Sequence, residues 1–417
     1  MDWTGNRQLR DAARDGNYGR VIKEARKALG MTQRQLGEAC GLSQPAMSRL
    51  EDRGIGTYNM TLLASAASHL GIPPNLVGLA DYERNGNSTV ERREFLVGVA
   101  AVAATPTLNL PTTQQRPDWD SGQAAALRVA TTAYRRLDAT TGSRDLADVA
   151  QAHLRLIQRV ATQAPDTTHR ARMAAVGSEA ASLAGWLAWD MADYGSARTW
   201  YGSAIKAARS SGDLLLAAYQ TGSLAQFEVE AGNAAEGLRL VARARRQIGT
   251  ELPAIAAAWL ASIEAVAHAT AGDERATERA LRSCDQHNGR VPREDPPPWP
   301  WVFTFDERKV AACRVTCGAR LGRPRWVLTS TQEITTALTS GHEKQRALLT
   351  LDVATGNLNS GRVDSAFALA ARALQDGLRL RSGRVVERAR AFRRAYASTT
   401  PPCIVRDFDT LLHDAYL

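Results

Sequence analysis

The stretch TQRQLGEACGLSQPAMSRLE (32–51) holds Gln33, Gln44, Ser48 and Arg49, which bring two amides, a hydroxyl and a guanidinium close together in sequence. A glutamine amide can pair bidentately with an adenine edge, and an arginine can do the same with guanine or hold a phosphate. Gln33 falls where the first turn of a helix would begin, so its side chain and the free backbone N–H groups there could grip a phosphate. The chemistry on offer is recognition rather than bond-making.

Three helical signals position these groups. Thr32 and Gln35 make a T-x-x-Q capping box that starts a helix running to about Cys40. Gly41 ends it, being able to take positive φ. Ser43 caps the next helix, and Pro45 is tolerated because it falls in the first turn. Two short helices around a tight glycine turn make a helix-turn-helix arrangement. In the second helix Met47 and Leu50 pack inward against Leu36, Ala39 and Leu29, while Gln44, Ser48 and Arg49 project away.

Signatures of catalysis do not occur: there is no H-E-x-x-H, no G-x-x-x-x-G-K-[ST] and no G-x-S-x-G. The seven histidines run from His69 to His413 without ligand spacing, and His153 and His268 read as core or surface residues. Cys313 and Cys317 lie four apart on one helix face, but no further ligands stand near them, so they read as structural. The reading is a protein that is not an enzyme, with no metal and no cofactor. An odd count of five scattered cysteines fits a reducing compartment, and the expectation is cytoplasmic.

One aromatic segment stands apart. VPREDPPPWPWVFTFDERK (291–309) breaks any helix with its prolines and crowds Trp299, Trp301, Phe303 and Phe305 together. It is either a wall for an apolar or peptide ligand, carried by Trp299, Trp301 and Phe303, or a long loop pinned by its tryptophans.

At 417 residues the chain has room for two or three domains, and its net charge of +9 suits an acidic partner such as nucleic acid. No alternating strand pattern occurs, so the chain reads as all-α. The division is 1–80, a compact helical domain; 81–120, a linker containing RNGNSTV (84–90) and a short apolar helix; and 121–417, a helical-repeat domain. The segment ERREFLVGVAAVAATP (91–106) resembles an export signal in its paired Arg92 and Arg93. Its apolar run, Phe95 to Ala104, falls short of the roughly 20 residues a membrane span needs. Residues 91–104 therefore read as a helix joining the domains, and no membrane partner is expected.

The second half repeats. ADYGSARTWYGSAIKAA begins at Ala192, GNAAEGLRLVARAR at Gly232 and GRVDSAFALAARAL at Gly361. Small residues recur at Ala197, Gly237 and Ala366, and again at Ala204, Ala244 and Ala373. AGDERATERAL displaces its alanines to Ala276 and Ala280. Small residues seven apart, just inside a helix entered through a Gly/Asp turn, let helices pack closely. The pattern resembles the tetratricopeptide (TPR) motif, and implies a solenoid with a concave binding face.

TQRQLGEACGLSQPAMSRLE closely resembles the phage-repressor (XRE/Cro) class of helix-turn-helix domains, and TLLASAASHLGIPPNLV (61–77) matches that class's fourth helix and the start of its fifth. The resemblance implies a five-helix DNA-binding domain. It places Gln33, Arg34, Ser43, Gln44, Pro45, Ser48 and Arg49 toward DNA and Thr57, Tyr58 and Asn59 along the backbone. Pro45 replaces a residue that often contacts bases. In ERREFL (91–96), AGWLAWDMADYGSARTWYGSAIKAAR (184–209), RLRSGRVVERARAFRRAY (379–396) and VRDFDTLL (405–412) the whole chain resembles an actinobacterial regulator family joining such a domain to a TPR-like region. The implied partners are a double-stranded operator, a second copy of the chain and an effector that is a signalling peptide, a small molecule or a small protein. The other reading is an antitoxin-like or scaffold protein acting through protein contacts.

Overall fold

The computed structural model describes Trp3 and residues 6–54, 60–77, 121–249, 252–293, 297–301, 303–328 and 342–414. Every regular element among them is helical: nineteen α-helices and one 3₁₀ turn, with no strand. The linker 84–90, the joining segment 91–104, and Thr57, Tyr58 and Asn59 lie outside the described residues.

The N-terminal block contains α1 (Arg7–Arg14), α2 (Tyr18–Ala28), α3 (Gln33–Ala39), α4 (Gln44–Glu51) and α5 (Met60–Leu70), then a 3₁₀ turn at Pro74–Val77. The Asn6 and Asn17 side chains accept from first-turn N–H groups of α1 and α2. These are donors a helix leaves unsatisfied. The Thr32–Gln35 capping box is formed in both directions. Ser43 stands at the N-cap of α4, but contrary to expectation its hydroxyl makes no capping hydrogen bond. Among the described residues the matched start of a fifth helix is a 3₁₀ turn that begins at Pro74, just after Pro73.

Leu9, Val21, Ile22, Leu36, Met47 and Leu63 are fully buried together in one core. Each such side chain contributes roughly 1.5–3 kcal/mol. Two residues expected in it are not there. Leu29 is 42% exposed, because it is the C-cap of α2 and lies past the packed stripe. Ala39, the last residue of α3, is likewise at the surface.

From Ser121 onward the helices follow one another closely. They are α6 (Ser121–Leu137), α7 (Ser143–Thr162), α8 (Thr167–Asp190), α9 (Tyr194–Ser210) and α10 (Leu214–Glu230). Next come α11 (Ala234–Ile248), α12 (Ala254–Thr270), α13 (Glu274–Asn288), α14 (Glu307–Arg320) and α15 (Pro324–Leu328). The series ends with α16 (Glu343–Asn359), α17 (Val363–Arg379), α18 (Gly383–Arg394) and α19 (Cys403–Asp414). The closest pairings are the hairpins α8–α9, α10–α11, α12–α13 and α16–α17.

The second helix of each hairpin carries the recurring small residues. Ala197, Ala204, Ala244, Ala366 and Ala373 are buried to 1% exposure or less, and the displaced Ala276 and Ala280 are buried too. The hairpin turns also match: Ala192, Gly232, Gly272 and Gly361 occupy the same register and all take positive φ. Three glycines accept this freely, whereas Ala192 holds it at φ 62° against its own preference.

The row of hairpins turns back on itself. Lys344, in the first turn of α16 and fully buried, places Nζ 2.5 Å from Asp138 Oδ1 and 3.2 Å from Asp190 Oδ2. Ser382, the N-cap of α18, donates to Asp190 Oδ1 at 2.7 Å. These bonds hold α16 and α18 against the ends of α6 and α8. The inner surface bounds a cavity of about 670 Å³.

Candidate nucleic-acid interface

The turn between α3 and α4 fixes the relation of Gln33 to Gln44. The Leu42 N–H donates to the Gly37 carbonyl at 2.7 Å, and Gly41 takes φ +67°, the conformation that ends α3. Gln44 therefore opens α4 beside the first turn of α3. Gln44 Nε2 donates to Gln33 Oε1 at 3.0 Å, and Gln33 Nε2 donates to Glu51 Oε2 at 2.8 Å.

Glu51 is the anchor of this chain of bonds. Its carboxylate accepts from Arg26 Nε at 2.6 Å and from Arg26 Nη2 at 2.9 Å, a two-pronged pair in which both side chains are buried. Arg26 Nη1 also donates to the Met31 carbonyl at 2.7 Å, just ahead of α3. The Glu51 hydrogen bond raises the Arg26 guanidinium above its ordinary value. Arg26 and Glu51 were not singled out in the sequence. The signal was available: Arg26 follows Ile22 by four residues, on the core stripe of α2.

The remaining sequence-predicted residues take distinct places. Gln44, Pro45, Arg49, Arg34 and Ser43 are exposed, and Gln33 and Ser48 are half-buried. Arg34 Nε pairs with Glu38 Oε1 at 2.8 Å in an exposed i,i+4 pair, which a phosphate could displace at small cost. Ser48 Oγ donates to Asp52 Oδ2 at 3.3 Å. Lys23 Nζ binds the other Asp52 oxygen at 2.7 Å, and that bond lowers the Asp52 carboxyl. Arg49 makes no ion pair among the described residues. The structure thus brings Gln33, Gln44 and Ser48 onto one edge, with Arg34 and Arg49 reaching solvent.

The aromatic segment divides. Trp301 is 5% exposed and packs edge-on to Tyr219 and Trp259, with ring centroids 5.1 and 5.8 Å away. Phe303 stays 44% exposed, and both it and Trp301 line the cavity. Trp299 does not line the cavity; it stacks under the Arg128 guanidinium at 3.8 Å and packs near Ala175 and Leu216. Tyr219, Trp259 and Arg384, which complete the wall, come from helices far away in sequence, so no local pattern marked them.

Cys313 and Cys317 sit on α14, both buried, and Cys313 Sγ approaches the Ser262 carbonyl at 3.5 Å. His153 is buried, with Nε2 2.9 Å from Thr131 Oγ1. Among the described residues no helix is long and apolar enough to cross a membrane.

A family model described as a helix-turn-helix domain matches residues 17–79. Comparison with curated proteins gave no match, and comparison with solved structures gave none. The matched residues span α2 to the 3₁₀ turn and include the Gln33–Gln44 edge. The chain therefore carries a helix-turn-helix DNA-binding domain at its N-terminal end, followed by a helical-repeat region.

Proposed function

We propose that the chain is a sequence-specific transcriptional regulator of the XRE/Cro type, from an actinobacterial family with a TPR-like C-terminal region. It acts in the cytoplasm as a homodimer, places α4 in the major groove of each half-site and catalyses no reaction. Gln44 reads a base edge, Gln33 and Arg34 hold phosphates, and Ser43, Pro45, Ser48 and Arg49 complete the contact surface, with Tyr58 and Asn59 along the backbone. The helical-repeat region binds an effector and favours one arrangement of the dimer.

The observation that carries this reading is the Gln44–Gln33–Glu51–Arg26 series of bonds. It runs from a buried ion pair to an exposed amide at the first residue of α4. Rigid positioning of an exposed polar group serves recognition, where a mobile amide would lose entropy on binding. An electrophoretic shift of DNA from upstream of its own gene, at stated salt and with random duplex as competitor, tests it. Retention of that fragment at a competitor level that strips random DNA supports the reading. Equal loss of both leaves the antitoxin-like or scaffold role.

A further inference from the structure

The cavity of the repeat region has two chemically distinct parts. On one side Tyr219, Trp259 and Trp301 form an aromatic group, with Tyr219 and Trp259 stacked 5.3 Å apart and Trp301 edge-on to both. Flat apolar surfaces arranged in this way accept a ring in offset-stacked or edge contact. Phe303 stands at the same cavity with much of its ring open to solvent.

The other part is charged and unevenly satisfied. Its carboxylates are taken: Asp138 by Lys344 and the Trp186 indole N–H, Glu230 by Arg320 and Arg388, and Asp352 by Arg388 and Thr316. The donors are in surplus. Arg384 is 7% exposed and lies over the rings of Trp186 and Trp189 at 4.7 and 4.5 Å. Its Nε stands 3.6 Å from Asp190, and its Nη2 has no acceptor among the described residues. The Trp301 indole N–H, equally buried, has none either. Six arginine and lysine side chains line the cavity with four carboxylates, and of these cations Arg135, Arg308 and Arg388 are already paired, with Glu179, with Asp306 and with Glu230 and Asp352. Buried donors without acceptors are costly, and a ligand bearing acceptors relieves that cost.

We propose that this cavity binds a small planar aromatic anion, its ring against Tyr219, Trp259 and Trp301 and its carboxylate, sulfonate or phosphate on Arg384. The proposal deepens the effector reading and rests on it for any link to DNA. A cavity of about 670 Å³ is the size that encloses a compact small molecule.

The test uses the full chain and two fluorescent probes of the same ring system, anionic 8-anilinonaphthalene-1-sulfonate and its neutral counterpart N-phenyl-1-naphthylamine. The sulfonate probe is expected to bind one site per chain, with energy transfer from tryptophan. Arg384→Gln should weaken it about tenfold while leaving the neutral probe unchanged. Competition on the unaltered chain keeps the test independent of whether that variant folds: 1-naphthoate should displace the probe about tenfold better than 1-naphthamide. Equal displacement by acid and amide, or many weak probe sites, overturns the proposal. Displacement by an uncharged apolar heptapeptide but not by naphthoate overturns it in favour of a peptide ligand. If naphthoate binds as stated yet operator affinity does not move, the site stands and the effector reading falls.

Discussion

Gln44 and Gln33, eleven residues apart in sequence, are joined directly across the helix-turn-helix by a 3.0 Å hydrogen bond from Gln44 Nε2 to Gln33 Oε1. One amide is thereby oriented by another that is itself held to Glu51 at 2.8 Å. With its Nε2 engaged by one partner, the exposed Gln44 still offers its second amide hydrogen and its carbonyl to a base.

The two glutamines should therefore differ in effect. Gln44→Ala is expected to lose about 1–3 kcal/mol on the cognate duplex and much less on random DNA. Gln33→Ala removes a phosphate contact and also releases Gln44, so it should weaken the cognate duplex and, unlike Gln44→Ala, weaken random DNA substantially as well. Fluorescence anisotropy on cognate and random duplexes at one salt concentration measures both. Equal losses for Gln44→Ala on the two duplexes contradict its assignment as a base reader.

The buried Arg26–Glu51 pair should be required for the fold of the DNA-binding domain. Glu51→Ala leaves the Arg26 guanidinium buried without its carboxylate, which costs about 3–5 kcal/mol. Chemical denaturation of the full chain should show early loss of the transition assigned to that domain. The double change Arg26→Met with Glu51→Leu should recover much of the stability but not the DNA affinity, because Gln33 would lose its anchor.

Gly195 governs contact between the two regions. A β-carbon there would stand 1.6 Å from the Tyr18 hydroxyl oxygen and 2.3 Å from its ring. Tyr18 is 5% exposed and begins α2, while Gly195 lies in the first turn of α9. Gly195→Ala should separate the surfaces, and the neighbouring 3.4 Å bond from Arg198 to the Asp15 carbonyl would be lost with them. Faster amide exchange across α1 and α2 would report the separation. Tyr18→Ala in the same chain removes the clash and should restore slow exchange at the contact, a non-additivity that a mere folding defect would not give.

The pair of ends joined by Lys344 should respond to acid. Burial by itself would raise the Asp138 carboxyl, but His342 and Lys344 outweigh it and hold the group well below the ordinary carboxylate range. A depressed carboxylate adds stability that is fully present above the unfolded value near 4 and is lost as pH falls through the folded value. The thermal midpoint should hold from pH 7 to about 5 and drop below 4. Lys344→Met leaves Asp138 and Asp190 without the ammonium between them, at a cost of about 3–5 kcal/mol near neutrality. That deficit should shrink as pH falls, since protonation relieves the stranded Asp138 carboxylate. A deficit constant from pH 7 to 4 would contradict the placement of Lys344.

The sequence made the helix-turn-helix legible because its information is local. Thr32, Gln35, Gly41 and the Met47–Leu50 stripe each act within one or two turns of their neighbours. The hairpin register was legible for the same reason, in small residues at fixed offsets from a turn. Leu29 and Ala39 were placed wrongly because apolar character at a helix end does not say where the packed face stops. What stayed hidden depends on distant segments meeting. Lys344 reaches Asp138 across 206 residues and Arg388 reaches Glu230 across 158, so neither pair leaves a periodic trace. The cavity has the same character: Trp301 could be suspected from its loop, but Tyr219, Trp259 and Arg384 become its neighbours only through the closure of the repeat row.

Selection from a pool of random duplexes by the full chain, followed by sequencing of what is retained, tests the central claim most directly. The account predicts enrichment of a two-fold symmetric motif, its half-sites separated by about one helical turn. It also predicts that Gln44→Ala relaxes the preference at one position in each half. Retention without any enriched motif, with affinity tracking salt and nothing else, would contradict it.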